Sequence, residues 1–189
     1  GNLAADSGTI RLGGRDVTRT KAHQRCMAGI GRSYQIPRPF ETLTVFENLA
    51  VAAVHGGGRQ VADAADFCAD ILERTGLLGR ANRLAGSLTL LERKRLEMAR
   101  ALATAPGLLL LDEIAGGLTE SECGELIATI KSIRAAGTTI VWIEHIVHAL
   151  VSVADRLVVM NFCQLLAGGD PHAVMADPLV REVYMGMPA

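Results

Sequence analysis

Apolar positions recur along the 189 residues with two periods, and the period changes several times. Thr9 to Leu12 alternates as a strand does, and Gly13-Gly14 marks a tight turn. Thr20 to Met27 predicts a short helix closed by Gly29, and Ile30 to Tyr34 a second strand. Ile36-Pro37-Arg38-Pro39 must be extended, because each proline disfavours the helical conformation in the residue before it. Thr44 to Val54 predicts a helix, broken at Gly56-Gly57-Gly58. Ala64, Phe67, Cys68, Ile71 and Leu72 fall on one face of a further helix, with Gly76 as its stop.

Thr89 to Thr104 predicts the next helix, and Thr89 with Glu92 has the spacing of a capping box. Leu108 to Leu111, bounded by Pro106-Gly107, reads as a buried strand. Thr119 and Glu122 repeat the capping-box spacing. Cys123, Leu126, Ile127, Ile130 and Ile133 then give that helix one apolar face, ended by Gly137. Thr138 to Ile143, β-branched and aromatic, predicts a short buried strand. Leu157 to Met160 and Gln164 to Ala167 predict two more, joined at Asn161-Phe162-Cys163, before short helices at Pro171–Met175 and Leu179–Tyr184. Strand–helix–strand alternation in the second half implies an α/β parallel sheet, whereas consecutive helices from about residue 44 to 104 imply a helical lobe.

Composition narrows the picture. A hydrophobic fraction of 49% and a charged fraction of 21% describe a globule with a substantial core. A net charge of −1 gives no field toward nucleic acid or an anionic membrane. No apolar run reaches bilayer-spanning length, and the N-terminus is not a secretion signal. Cys26, Cys68, Cys123 and Cys163 are widely spaced, with no C-x-x-C, and read as reduced, mostly packing thiols.

The chemistry-bearing position is the exit of the Leu108–Leu111 strand, where Asp112 and Glu113 stand side by side. Adjacent carboxylates there are costly unless they face a cation or water. They read either as the polar end of a core strand or as the acidic site of a phosphate-transfer enzyme that positions Mg²⁺, and this segment alone leaves both open.

Four segments in order carry a resemblance: Arg32-Ser33-Tyr34-Gln35, Leu88-Thr89-Leu90-Leu91-Glu92, Leu108 to Glu113, and Ile143-Glu144-His145. They resemble the Q-loop, signature motif, Walker B strand and switch histidine of ABC transporter ATPase subunits. Gly29 to Gln35 followed by Leu43 to Leu49, and the ending Asp177 to Gly186, are similar to the branched-chain amino acid importers of that family. The resemblance implies the α/β P-loop NTPase fold of the ABC ATPases. It places a helical subdomain over about residues 44–104, and the Walker B, switch and C-terminal parts of the catalytic core over 105–189.

It further implies ATP and Mg²⁺ as ligands. Asp112 and Gln35 would serve the metal, Glu113 would polarise the attacking water, and His145 would donate to the γ-phosphate. Gln35, Leu88, Thr89 and Glu92 would line the nucleotide. The implied partners are a second ATPase subunit, transmembrane permease subunits and, indirectly, an external solute-binding protein, with no nucleic acid. The implied location is the cytoplasmic face of the membrane, held through the permease. His148, His23, His55 and His172 read as surface or packing residues.

The sequence departs from the family pattern at several places. No G-x-x-x-x-G-K-[ST] occurs: Gly13-Gly14 lacks the following Lys-Ser/Thr, and Lys21 is followed by Ala22. The opening residues resemble the family sequence just after the helix that follows that loop, so an N-terminal truncation is the expectation, with the adenine-stacking aromatic also upstream. The family's Leu-Ser-Gly-Gly-Gln stands here as Leu88-Thr89-Leu90-Leu91-Glu92. Thr89 keeps the hydroxyl, two glycines are lost, and Glu92 adds negative charge. Arg93, Lys94, Arg95 and Arg100 either offset that charge or form a solvated face. Ile114 replaces a proline, Thr119 stands where aspartate is common, and Cys163 where a hairpin glycine is common. The competing expectation is a non-catalytic scaffold that cannot bind ATP.

Overall fold

The computed structural model describes residues 1–185 and divides into two compact units, the first ending at Ile143 and the second beginning at Glu144. The first unit opens with an antiparallel hairpin, β1 (Arg11–Leu12) and β2 (Arg15–Asp16). It is shorter than the alternation from Thr9 suggests, and it turns at Gly13 and Gly14, whose φ values of +53° and +82° suit glycine. Helix α1 (Ala22–Met27) leads to β3 (Ile30–Arg32).

The central sheet contains β3, β4 (Leu108–Asp112) and β5 (Thr139–Ile143), all parallel, with β4 in the middle. Register pairs Ile30 with Leu108 and Arg32 with Leu110 on one side, and Leu108 with Thr139 and Asp112 with Ile143 on the other. Leu109 and Leu111 are fully buried, as the branched apolar run requires of a strand covered by helices. Helix α5 (Glu120–Ala135) makes the crossover from β4 to β5. Thr119 and Glu122 cap it reciprocally, and Cys123, Leu126, Ile130 and Ile133 are its buried stripe.

Between β3 and β4 the chain is helical. Helix α2 (Val45–Val51) runs into a π-helical turn at Ala52–Gly56, followed by α3 (Val61–Arg74), two 3₁₀ turns, and α4 (Leu90–Ala103). The Thr44–Glu47 pair caps α2 in the same reciprocal way as Thr119–Glu122 caps α5. Strand and helix approach closely at Gly31: a Cβ there would lie 2.9 Å from both the Ala101 carbonyl oxygen and a Pro106 ring carbon.

The second unit has α6 (Val147–Val151) and a hairpin of β6 (Leu157–Asn161) and β7 (Gln164–Gly169). These are followed by α7 (Pro171–Ala176) and α8 (Pro178–Met185). Leu157, Val159, Val174 and Val180 form its core. The hairpin turns through Phe162 and Cys163, at φ +45° and +63°; both lie in the left-handed region that side chains disfavour, so Cys163 is strained as its position suggested. All four cysteines are free thiols; Cys68 and Cys123 are buried, and Cys163 is exposed. Gly186 lies outside the described residues.

One expectation needs correction. The β-branched Thr138–Ile143 segment predicts a buried strand, but Thr139, Val141 and Ile143 face outward, with Val141 and Ile143 50% and 62% exposed. β5 is an edge strand, paired among the described residues only with β4. An apolar edge of this kind templates association. Val141→Lys is therefore expected to reduce concentration-dependent self-association of the chain, read by light scattering, with its melting temperature retained. Association unchanged by the lysine would show that the edge is not the contact.

Candidate functional site

The site grows from the C-terminal end of β4. Asp112 is the last strand residue, and Glu113 follows at φ +43°, a left-handed conformation rare for a side-chain-bearing residue. The Glu113 N–H still donates to the Ile143 carbonyl at 2.9 Å, so the chain turns while keeping its last tie to β5. Gln35 Nε2 donates to Glu113 Oε2 at 2.7 Å, which joins the loop after β3 to the carboxylate after β4.

Arg32, the last residue of β3, donates from Nη2 to Asp112 Oδ2 at 3.1 Å. The pair is 46% and 35% exposed, so it orients the carboxylate more than it stabilises the fold. The Arg32 guanidinium also lies 4.9 Å from the Tyr34 ring centroid. Sequence reasoning gave Arg32 no role; its position across from β4 depends on the parallel register, which no local pattern reports.

Lys94 was also missed. The expectation of a solvated basic face on α4 fails for it, because Lys94 is buried and its Nζ donates to the Glu113 carbonyl at 3.3 Å. The other basic side chains of that helix have their own partners. Arg93 donates to the Leu88 and Gly86 carbonyls, Arg95 pairs with Glu125 at 2.8 Å, and Arg100 pairs with Glu97 at 3.0 Å. The Glu92 charge is met instead by Arg80, at 2.7 Å.

Thr89 and Glu92 act on one another. Thr89 Oγ1 accepts the Glu92 N–H at 3.3 Å, and Glu92 Oε2 accepts the Thr89 N–H at 3.0 Å, closing the predicted capping box of α4. The Arg80 hydrogen bond, then the one from Thr89, holds the Glu92 carboxyl below its ordinary range. Leu88 is buried, and the exposed Leu90 lies against Gly117.

His145 belongs to the second unit. Its Nδ1 lies 3.1 Å from Glu144 Oε2, which also accepts the His145 backbone N–H at 3.0 Å; the imidazole is 64% exposed and the Glu144 side chain is fully buried. His23, His55, His148 and His172 are all exposed.

The donor set at the end of β4 is hard and oxygen-rich: two carboxylates and the amide of Gln35. Among the described residues no group of three or more His, Cys, Asp or Glu converges as a closed metal cage. Such a partial set fits Mg²⁺, which keeps much of its water shell and takes one or two carboxylates.

The profile of the family described as "ABC transporter" matches residues 1–116. The chain is 34% identical to the high-affinity branched-chain amino acid transport ATP-binding protein BraF of Pseudomonas aeruginosa, over 95% of this chain and 76% of that protein. It is 37% identical to the corresponding protein LivG of Salmonella typhimurium, over the same shares. Among solved structures it matches a nucleotide-free ATP-binding cassette from an ABC transporter with TM-score 0.85 and 28% identity, over 99% of this chain and 80% of that one. It also matches the ADP conformation of an ATP-binding cassette of an ABC transporter, with TM-score 0.86 and 28% identity, over 98% and 79%.

Thr89→Ala should remove the cap and destabilise the chain by about 1 kcal/mol in chemical denaturation, with Thr89→Ser near neutral. Because the folded Glu92 pKa is depressed, its contribution is present above the ordinary value of 4.5 and disappears as pH falls through the lower folded value. Arg80→Ala should therefore weaken the acid dependence of stability in that window. An unchanged Thr89→Ala midpoint would show that the box does not hold α4.

Proposed function

Since the chain belongs to the ABC transporter ATP-binding family, with the α/β fold of its ATPase cassettes, we propose that it serves as the ATP-hydrolysing subunit of an importer of branched-chain amino acids or a related small solute. One observation carries the catalytic part of this reading: the Gln35 amide touches Glu113, next to Asp112, at the end of the central strand.

In this reading Asp112 and Gln35 would hold Mg²⁺, which would supply charge neutralisation to the transferred phosphate, and Arg32 orients the Asp112 carboxylate through its own ion pair. Glu113 accepts a hydrogen bond from the attacking water and polarises it. Gln35 orients that water and the carboxylate together, since its amide can donate and accept. Lys94 fixes the peptide that carries Glu113. His145 donates to the γ-phosphate, and its Glu144 contact sets the ring orientation. Leu88, Thr89 and Glu92 approach the nucleotide of a second ATPase subunit.

Further partners are transmembrane permease subunits and, through them, an external solute-binding protein. No helix among the described residues is long and apolar enough to cross a membrane, in keeping with a peripheral subunit on the cytoplasmic face.

A second reading is favoured by two observations. The 189 residues contain no G-x-x-x-x-G-K-[ST], and Thr89 and Glu92 are engaged in a helix cap. In this reading the polypeptide taken by itself is a non-catalytic scaffold. Both readings predict no detectable ATP hydrolysis by the 189-residue chain alone, because these residues include no G-x-x-x-x-G-K-[ST] loop to cradle the phosphates. Turnover that vanishes in Glu113→Gln would contradict this.

They part in a chimera that places a G-x-x-x-x-G-K-[ST]-bearing segment of an ABC ATPase ahead of Gly1. The enzyme reading expects turnover there, and Glu113→Gln should keep ATP binding while cutting hydrolysis by about a hundredfold or more. Leu90→Gly with Leu91→Gly should raise turnover by letting backbone N–H groups approach phosphate. A chimera that binds ATP yet never hydrolyses it, glycines included, supports the scaffold.

A further inference from the structure

Pro37 and Pro39 have no N–H, so between Pro37 and Phe40 the backbone has donors only at Arg38 and Phe40. Side chains from two different helices meet this short stretch. Asn48 of α2, fully buried, accepts the Phe40 N–H at 2.9 Å and donates to the Phe40 carbonyl at 3.1 Å. From α4, Arg100 Nη1 donates to the Arg38 carbonyl at 2.9 Å and to Glu97 Oε2 at 3.0 Å. The Arg38 carbonyl is thus held by the guanidinium of a buried ion pair, whichever way the exposed Arg38 side chain points.

Glu97 is an expensive residue in that place. It is 6% exposed and lies between Leu96 and Met98, both fully buried. Burial pushes its carboxyl up, and the Arg100 charge and hydrogen bond pull it back. A buried ion pair contributes little net stability compared with apolar packing, but it fixes geometry. What it fixes is the far end of the loop that carries Gln35. The near end is fixed at Ser33, whose N–H donates to the Leu110 carbonyl at 2.9 Å. Gln35 lies between these two anchors, with few residues of slack on either side.

The same helix face reaches the other partner of the contact. Lys94, three residues before Glu97 and so on its face, holds the Glu113 carbonyl. Helix α4 therefore supports both the donor and the acceptor of the Gln35–Glu113 hydrogen bond.

We propose that Glu97 and Arg100 are positioning residues for Gln35: by gripping the Arg38 backbone from α4 they set the reach of the Gln35 loop toward Glu113. The role rests on the reading of Gln35 and Glu113 given above.

The test uses the ¹³C,¹⁵N-labelled 189-residue protein without nucleotide, so it does not depend on whether an assembled subunit hydrolyses ATP. Two signals are read: the Arg38 carbonyl ¹³C shift, which reports the hydrogen bond from Arg100, and the Gln35 side-chain NH₂ shift with and without Glu113→Gln. Glu97→Ala should move the Arg38 carbonyl shift toward its unbonded value and leave the Gln35 NH₂ indifferent to Glu113→Gln. Glu97→Gln, which keeps an acceptor for the Arg100 guanidinium, should restore both signals. If Glu97→Ala does not give a native amide spectrum, Glu97→Leu with Arg100→Leu replaces the pair by apolar volume and should give the same two changes in a folded chain. An unchanged Arg38 carbonyl shift would overturn the clamp. A freed Arg38 with a Gln35 that still senses Glu113 would overturn the positioning role and leave Glu97 a packing residue.

Discussion

Strand β4 is hydrogen-bonded on both sides, to β3 and to β5, and the placement of the site follows from that constraint. Parallel pairing on both edges fixes the level at which the strand ends. Asp112 therefore emerges next to Arg32, the terminal residue of β3, and opposite Ile143, the terminal residue of β5. β4 and β5 end at the same level and β3 two residues short of it, so the loops leaving the parallel strands emerge at one end of the sheet. Ligand sites in open α/β sheets form there, outside the carboxyl ends of the strands. Glu113 takes its strained backbone turn at that point, held by the bond to the Ile143 carbonyl.

Helix α4 is the second support. Its N-terminal cap ties Thr89 to Glu92, its middle holds the Glu113 peptide through Lys94, and its last turns hold Arg38 through Glu97 and Arg100. A side chain at Gly31 would push this helix from the sheet, because it would meet the Ala101 carbonyl and Pro106. The acidic pair and the glutamine loop thus depend on how closely α4 lies on β3 and β4. Arg93, Lys94 and Arg100 of α4 donate to backbone carbonyls of the segments packed on the helix, which makes it a rigid frame more than a source of stability.

Features governed by neighbours in sequence were legible from the residues. The capping spacings at Thr89–Glu92 and Thr119–Glu122, the stops at Gly29, Gly76 and Gly137, and the apolar stripe of α5 all follow from local geometry. The Thr44–Glu47 box has the same spacing and was equally readable. The run Leu108–Leu111 announced the central strand, and the acidic pair after it marked the candidate site. Features set by distant pairing were not legible. The composition of β5 suits a buried strand, yet its exposure depends on which strands flank it. Lys94 and Glu97 look like the polar face of a helix until the sheet and the proline loop that meet them are known. Arg32 acquires a partner only through the register of β3 against β4.

In the proposed function, Asp112, Glu113 and Gln35 form one cation-accepting site at the end of β4. Manganese, a paramagnetic substitute for Mg²⁺, tests it most directly when titrated at low stoichiometry into the isotope-labelled protein. The Gln35 side-chain amide and the backbone amides around Asp112 and Glu113 should broaden before all others, and Asp112→Asn should remove the effect. Broadening that begins elsewhere on the acidic surface, or that survives Asp112→Asn unchanged, would contradict it.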